Sequence, residues 1–212
     1  FEPGSIFKPL TMASALEEQK LTPQTSYIDT GKIKIGGYTI YNYGERVWGK
    51  MTMIEVLEKS INTGAVFAES QLGHNLFLKY IEKFGLFEPT GADLREIYSD
   101  NKELKKGYEI NFATASFGQG IEMTPLQLIR AYSAIANNGR LIKPYIVDKI
   151  KEQDSVIEKQ PQIEETPIIS PKTVSQLTSM MVSVVENGYA KSAKIPGYYI
   201  AGKTGTAQIS YS

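Results

Sequence analysis

Three groups of residues in this chain could do chemistry together. Ser5 and Lys8 lie three residues apart in Phe1-Glu2-Pro3-Gly4-Ser5-Ile6-Phe7-Lys8, directly after a Pro-Gly break. The run from Thr11 to Lys20 reads as helix. Ser5 therefore falls at a helix N-terminus, where unpaired N–H groups and the dipole favour developing negative charge. Lys8 follows one turn along on the same face. A serine hydroxyl is a weak nucleophile until a base takes its proton, and a desolvated lysine can be that base. The second group is Ser60-Ile61-Asn62, at a break between two helical runs. There Ser60 can relay a proton, and Asn62 can hold a substrate amide while bonding a lysine. The third is Lys203-Thr204-Gly205-Thr206, expected on a strand, with Thr204 and Thr206 on one face and Lys203 on the other. A lysine beside paired hydroxyls suits a substrate carboxylate, and Gly205 leaves room for a substrate backbone.

Each group also has an ordinary structural alternative. Serine and lysine are common, and a second Ser-x-x-Lys occurs at Ser99-Asp100-Asn101-Lys102. Ser60-Ile61-Asn62 can be a polar turn, and Lys203 to Thr206 can be a strand end with nothing to bind. Composition narrows the choice. Lys+Arg and Asp+Glu are both 23, so the chain is neutral, which argues against a nucleic-acid binder driven by charge. There is no cysteine, which removes disulfides, zinc–thiolate sites and cysteine nucleophiles and suits an extracytoplasmic setting. His74 is the sole histidine, so a multi-histidine metal site is excluded and a Ser-His-Asp triad would need that residue. It follows Gly73 and opens a helical pattern, so a helix-entry role is expected. No metal and no cofactor are implied.

The elements that must position these residues follow from the pattern. A first helix is expected over residues 5–19, with Pro9 in its first turn. Lys32–Ile35 and Tyr38–Tyr41 flank Gly36-Gly37 as a hairpin. Thr52 and Glu55 form a capping box before a helix ending near Lys59. Helices follow over residues 63–72 and 75–84, closed by Gly73 and Gly85. Residues 86–109 read as irregular, with a solvated charged run from Asn101 to Gly107. Thr124-Pro125-Leu126-Gln127 and Ser170-Pro171 are helix starts. Two strands are expected within residues 141–150 and 156–159, and Tyr198–Ala201 leads as a strand into Lys203. Helices and strands mix without a βαβ rhythm, which predicts an α+β fold, one domain over residues 1–212 with no internal boundary.

In this order the three groups resemble the Ser-x-x-Lys, Ser-x-Asn and Lys-Thr-Gly motifs of penicillin-binding proteins and serine β-lactamases. The flanks, Glu2 to Pro9, Ser116-Phe117-Gly118-Gln119-Gly120-Ile121 with Thr124 to Gln127, and Ala201 to Gln208, resemble those of class B penicillin-binding proteins, the peptidoglycan D,D-transpeptidases. The resemblance covers nearly the whole chain. Ser99-Asp100-Asn101 matches the spelling of the second motif better than Ser60-Ile61-Asn62 does. It is set aside because it sits in a charged loop, whereas Ser60 stands between two apolar helices.

The resemblance implies roles. Ser5 would be the nucleophile and Lys8 the general base. Ser60 and Asn62 would shuttle the proton and position the substrate, and Lys203 with Thr204, Gly205 and Thr206 would hold its carboxylate. The backbone N–H groups of Ser5 and Thr206 would form the oxyanion hole. The substrates would be peptidoglycan stem peptides, a D-Ala-D-Ala donor and an amine acceptor, and β-lactam antibiotics would acylate Ser5. The implied fold is a central antiparallel sheet with a helical subdomain. The chain opens on Phe1 inside one motif and stops at Tyr211-Ser212 soon after another, so a fragment is expected, incomplete at both termini. The parent would carry a membrane anchor, act on the outer face of the bacterial cell membrane, and meet a glycosyltransferase and division or elongation proteins; no nucleic acid is implied. Two alternatives stand beside this. A serine β-lactamase would need a water-activating glutamate, for which Glu69, Glu82 and Glu88 are the candidates. A β-lactam-sensing or non-catalytic penicillin-binding domain would keep the fold alone.

Overall fold

The computed structural model describes residues 1–152 and 155–207. A 3-10 turn, Gly4–Phe7, runs directly into α1, Lys8–Glu17, with Pro9 in the first helical turn, where a missing N–H costs least. Every residue of α1 except Glu17 is buried. A helix buried on all sides must be apolar all round, and α1 nearly is, from Leu10 through Leu16. It packs against α3 (Asn62–Leu72), α4 (His74–Lys83) and α8 (Pro171–Glu186). The main core of Phe7, Leu10, Leu57, Phe77, Leu177 and Val184 closes around it.

Between α1 and α3 lie four short strands, β1 (Ser26–Asp29), β2 (Lys32–Ile35), β3 (Tyr38–Tyr41) and β4 (Gly49–Thr52), and then α2, Met53–Glu58. The β2–β3 hairpin turns through Gly36 and Gly37, whose φ of 52° and 85° are the positive values that a two-residue hairpin turn requires. β1 pairs with β4, a strand the sequence did not disclose. The capping box opens α2 as expected: Glu55 N–H donates to Thr52 Oγ1 and Thr52 N–H donates to Glu55. A second box, Thr124 with Gln127, opens α7, Pro125–Ala136. Ser170 caps α8.

Three expectations need correction. The α+β class holds, but the strands stand as four two-stranded antiparallel sheets among the described residues, with no central sheet joining them. β5 (Ile142–Lys143) pairs with β8 (Gln162–Ile163), and β6 (Lys149–Lys151) with β7 (Val156–Glu158). Residues 198–207 are not a strand, because among the described residues no neighbour forms a ladder with them; Gly202 N–H donates to Met181 O. The charged run is not all loop. Lys102–Lys105 forms the short helix α5, which buries Leu104 completely, and α6 (Glu109–Ala115) follows. One buried apolar residue amid lysines anchors a turn that net polarity had hidden. Gln208, part of the third motif's flank, lies outside the described residues. Among the described residues no helix is long and apolar enough to cross a membrane.

Candidate active site

Ser5 is the second residue of the 3-10 turn and half-buried. Three backbone features fix that turn. Gly4 N–H donates to Gly118 O at 2.9 Å. Tyr132 Oη donates to Ile6 O at 2.6 Å. Gly4 itself has φ of 60° and is wedged so tightly that a methyl there would stand 2.3 Å from Thr206 O. A methyl at Gly118, also at positive φ, would stand 2.1 Å from Gly4 O. The backbones of Gly118, Gly4 and Thr206 therefore lie in one stack that no side chain could enter. This brings residues 205–206 beside the turn that holds Ser5, without a strand. Gly205 packs on Ile6, where a Cβ would meet Ile6 Cγ2 at 2.8 Å. Among the described residues, neither Ser5 N–H nor Thr206 N–H donates a hydrogen bond within the protein.

Ser60 is the hinge between α2 and α3. Its N–H donates to Leu57 O and Ile61 N–H donates to Val56 O, the paired bonds of a Schellman ending to α2. That ending requires a left-handed residue, normally glycine; here it is Ser60, at φ of 55°. Holding a non-glycine residue there costs on the order of 1 kcal/mol. The conformation aims both Ser60 O and Ser60 Oγ at one point. Lys8 Nζ occupies that point, 2.6 Å from Ser60 O, 3.2 Å from Ser60 Oγ and 2.8 Å from Asn62 Oδ1. Lys203 Nζ reaches the same hydroxyl from the other side, donating to Ser60 Oγ at 2.8 Å and to Thr204 O and Oγ1 at 3.0 and 3.2 Å. Lys203 and Thr204 thus share a side. The opposite-face reading fails because the pleat that would separate them is absent.

The two ammonium groups meet on one serine hydroxyl, and both are depressed. Lys8, 1% exposed, has its pKa held well below the usual lysine range, by burial first and by the charge of Lys203 second. Burial pushes Lys203 down to about 8. A neutral Lys8 has two N–H donors and one lone pair. Ser60 O and Asn62 Oδ1 take the donors, which leaves the lone pair for a hydroxyl proton. Lys203, still largely charged at neutral pH, donates to Ser60 Oγ and so orients the Ser60 proton toward Lys8. The arrangement is a short proton path ending at a base.

Ser5 Oγ makes no hydrogen bond among the described residues, and Lys8 Nζ donates to Ser60 and Asn62. Ser99-Asp100-Asn101 is not in the site. Asn101 receives Glu122 N–H at 2.6 Å and donates to Glu122 O at 2.9 Å, which ties the loop to residue 122. The three glutamates considered as water activators are engaged elsewhere or free of the site. Buried Glu69 faces His74, and burial raises its pKa above the usual carboxylate range. Glu88 pairs with Arg130, and Glu82 is exposed. His74 opens α4, as expected, and stacks on Phe112. What the sequence did not disclose is the support beneath Asn62: Asp29, Asn42 and Thr63, three buried polar residues joined by hydrogen bonds. Asp-Thr and Tyr-Asn at the ends of short strands were the available signal.

Comparison with known proteins shows the family. The family described as the penicillin binding protein transpeptidase domain matches residues 1–212. Stage V sporulation protein D of Bacillus subtilis is 36% identical over 214 residues, covering 98% of this chain and 33% of its own length. The peptidoglycan D,D-transpeptidase FtsI homolog of Mesostigma viride is 33% identical over 234 residues, covering 98% of this chain and 39% of its own. The chain thus spans about a third of the curated relatives it matches. Penicillin binding protein 3 of Mycobacterium tuberculosis, solved in complex with aztreonam, superposes with a TM-score of 0.86 at 30% identity, over 99% of this chain and 48% of that one. With a buried lysine, a left-handed serine and a second lysine converging in a chain matched end to end, this protein belongs to the penicillin-binding protein transpeptidase domain family.

Proposed function

We propose that this chain is the acyl-transfer unit of a peptidoglycan D,D-transpeptidase. The observation that carries the proposal is the convergence of Lys8 and Lys203 on Ser60 Oγ, beside the turn that presents Ser5. Ser5 Oγ attacks the carbonyl carbon of the penultimate D-Ala of a stem pentapeptide and gives its proton to neutral Lys8. Lys203, with Thr204 and Thr206, holds the terminal carboxylate, and Gly205 leaves space for the substrate backbone. The tetrahedral oxyanion lies between the N–H groups of Ser5 and Thr206, each worth about 3–4 kcal/mol at the transition state. The C–N bond then breaks, and the proton passes from Lys8 through Ser60 to the leaving amine of the terminal D-Ala. A second stem peptide's amine attacks the ester carbonyl and loses its proton to Lys8; the ester C–O bond breaks, Lys8 returns that proton to Ser5 Oγ, and a cross-link and free enzyme remain.

A β-lactam presents its amide and carboxylate in the same relation, so it acylates Ser5 and blocks the amine. Peptidoglycan lies outside the cytoplasmic membrane, so this is where the site works. There it would meet the glycan polymerase and the division or elongation proteins that supply its strands. The test is labelling with a fluorescent penicillin in the protein as its gene encodes it. Ser5→Ala abolishes the adduct, and Lys8→Ala slows its formation by about 100-fold to 10,000-fold with the fold intact. An adduct on another serine by intact-mass measurement, or rapid release of hydrolysed drug, defeats the reading.

A further inference from the structure

The polar cluster under Asn62 is built more elaborately than a core requires. Asp29, Asn42 and Thr63 are 2%, 4% and 6% exposed. The Asp29 carboxylate accepts five hydrogen-bond contacts. Oδ1 takes Gly31 N–H at 3.0 Å, Asn42 Nδ2 at 2.9 Å and Thr63 Oγ1 at 2.6 Å, and Oδ2 takes Asn42 Nδ2 at 2.9 Å and Trp48 N–H at 2.8 Å. Burial pushes this carboxyl up, but the bonds from Thr63, Gly31, Asn42 and Trp48 together hold it below the usual range. Asn42, thus oriented, presents Oδ1 to Thr63 N–H at 3.1 Å, one of the orphan donors in the first turn of α3. Tyr41, its neighbour in the chain, accepts from Asn62 Nδ2 at 2.9 Å. A carbonyl can only accept, so this bond fixes which way the Asn62 amide faces, with Oδ1 toward Lys8.

We propose that Asp29, Asn42 and Thr63 are positioning residues for the reaction: they clamp the first turn of α3 so that Asn62 Oδ1 and Ser60 O hold Lys8 Nζ with its lone pair free. The path is continuous and each link is a contact: Asp29 to Asn42 and Thr63, these to the start of α3, Asn62 to Lys8. None of the three touches substrate or the reacting atoms. The inference rests on the transpeptidase reading of the site, and its consequence is specific. Loosening the clamp slows the bond-making step and spares capture, because Lys203, though it touches Ser60 Oγ, is also held by Thr204 O and Oγ1 in its own segment.

The experiment measures acylation by a fluorescent penicillin over a concentration series, which separates the first-order acylation rate from the half-saturating concentration. Rates are taken per active site, counted by complete labelling, so unfolded molecules do not enter. Thr63→Val removes the hydroxyl at constant size, Thr63→Ser restores it, and Asp29→Asn removes the charge. The expected result is an acylation rate lowered about tenfold or more in Thr63→Val and Asp29→Asn, a half-saturating concentration within about twofold of the parent, and recovery in Thr63→Ser. Variants that lose labelled sites or melt earlier yet acylate at the parental rate per site overturn the inference, since the cluster would then be structural alone. So does an effect confined to the half-saturating concentration. A parent protein that never labels at Ser5 defeats the transpeptidase reading itself, an outcome distinct from variants matching an active parent.

Discussion

Ser60-Ile61-Asn62 and Ser99-Asp100-Asn101 have the same outline and different fates. Each holds one residue in the left-handed region, Ser60 at φ of 55° and Asn101 at 52°. Each places an asparagine amide against two partners. In the first, the strained residue is the serine, whose carbonyl and hydroxyl both turn to Lys8 while the asparagine follows at the start of a long helix. In the second, the strained residue is the asparagine, and its amide bonds the backbone of Glu122. The first therefore exposes its polar atoms to two lysines, and the second spends them closing a loop. Spelling favours the second; the residue that carries the backbone strain, and what its side chain then faces, decides for the first.

The comparison can be broken most easily at its functional end. Asn62→Ala removes the amide oxygen that holds Lys8 and is expected to lower the rate of Ser5 acylation by about 100-fold or more. An Asn62→Ala protein that labels at the parental rate would make the two turns equivalent. Next comes pH. Acylation needs Lys8 neutral, so the rate rises with pH through the depressed pKa of Lys8. It also needs Lys203 charged, so the rate falls as pH passes about 8, where Lys203 loses its proton. Lys203→Arg keeps its charge and is expected to move the falling limb of the second-order acylation rate to higher pH. An unmoved limb would assign that titration elsewhere. The smallest effect on chemistry belongs to the other turn. Asn101→Ala is expected to leave acylation per site unchanged while costing about 1–3 kcal/mol in denaturant unfolding, because it strands the backbone groups of Glu122. Slowed acylation in that variant would bring the second turn into the site.

Where local chemistry determines structure, the sequence announced it. The capping boxes at Thr52 and Thr124, the glycine pair of the β2–β3 hairpin and the Ser-Pro start of α8 each depend on a few neighbouring residues. All were readable to within a residue or two. The three motifs proposed for the site were readable because a nucleophile, a base and an anion clamp need particular side chains. What could not be read depended on distant partners. The β1–β4 pairing joins segments across a hairpin, and Lys203–Thr206 was read as a strand but among the described residues has no strand paired with it. Asp29, Asn42 and Thr63 look like turn residues until the fold buries them together. The bonds of Lys8 belong to the same class, because Ser60 O and Asn62 Oδ1 reach it from a segment more than fifty residues away.

The burial of α1 bears on how this protein can change over generations. The helix that carries Lys8 and continues the turn of Ser5 is also the centre of the core, with nine of its ten residues buried. A substitution in α1 therefore bears on two requirements at once, a packed core and a placed Lys8. Heritable variation in ligand preference then has little room in the helix itself. It is channelled to exposed ground outside the helix, such as Tyr43 and Tyr189, which line one hollow with Ser60 and take no part in the packing of α1.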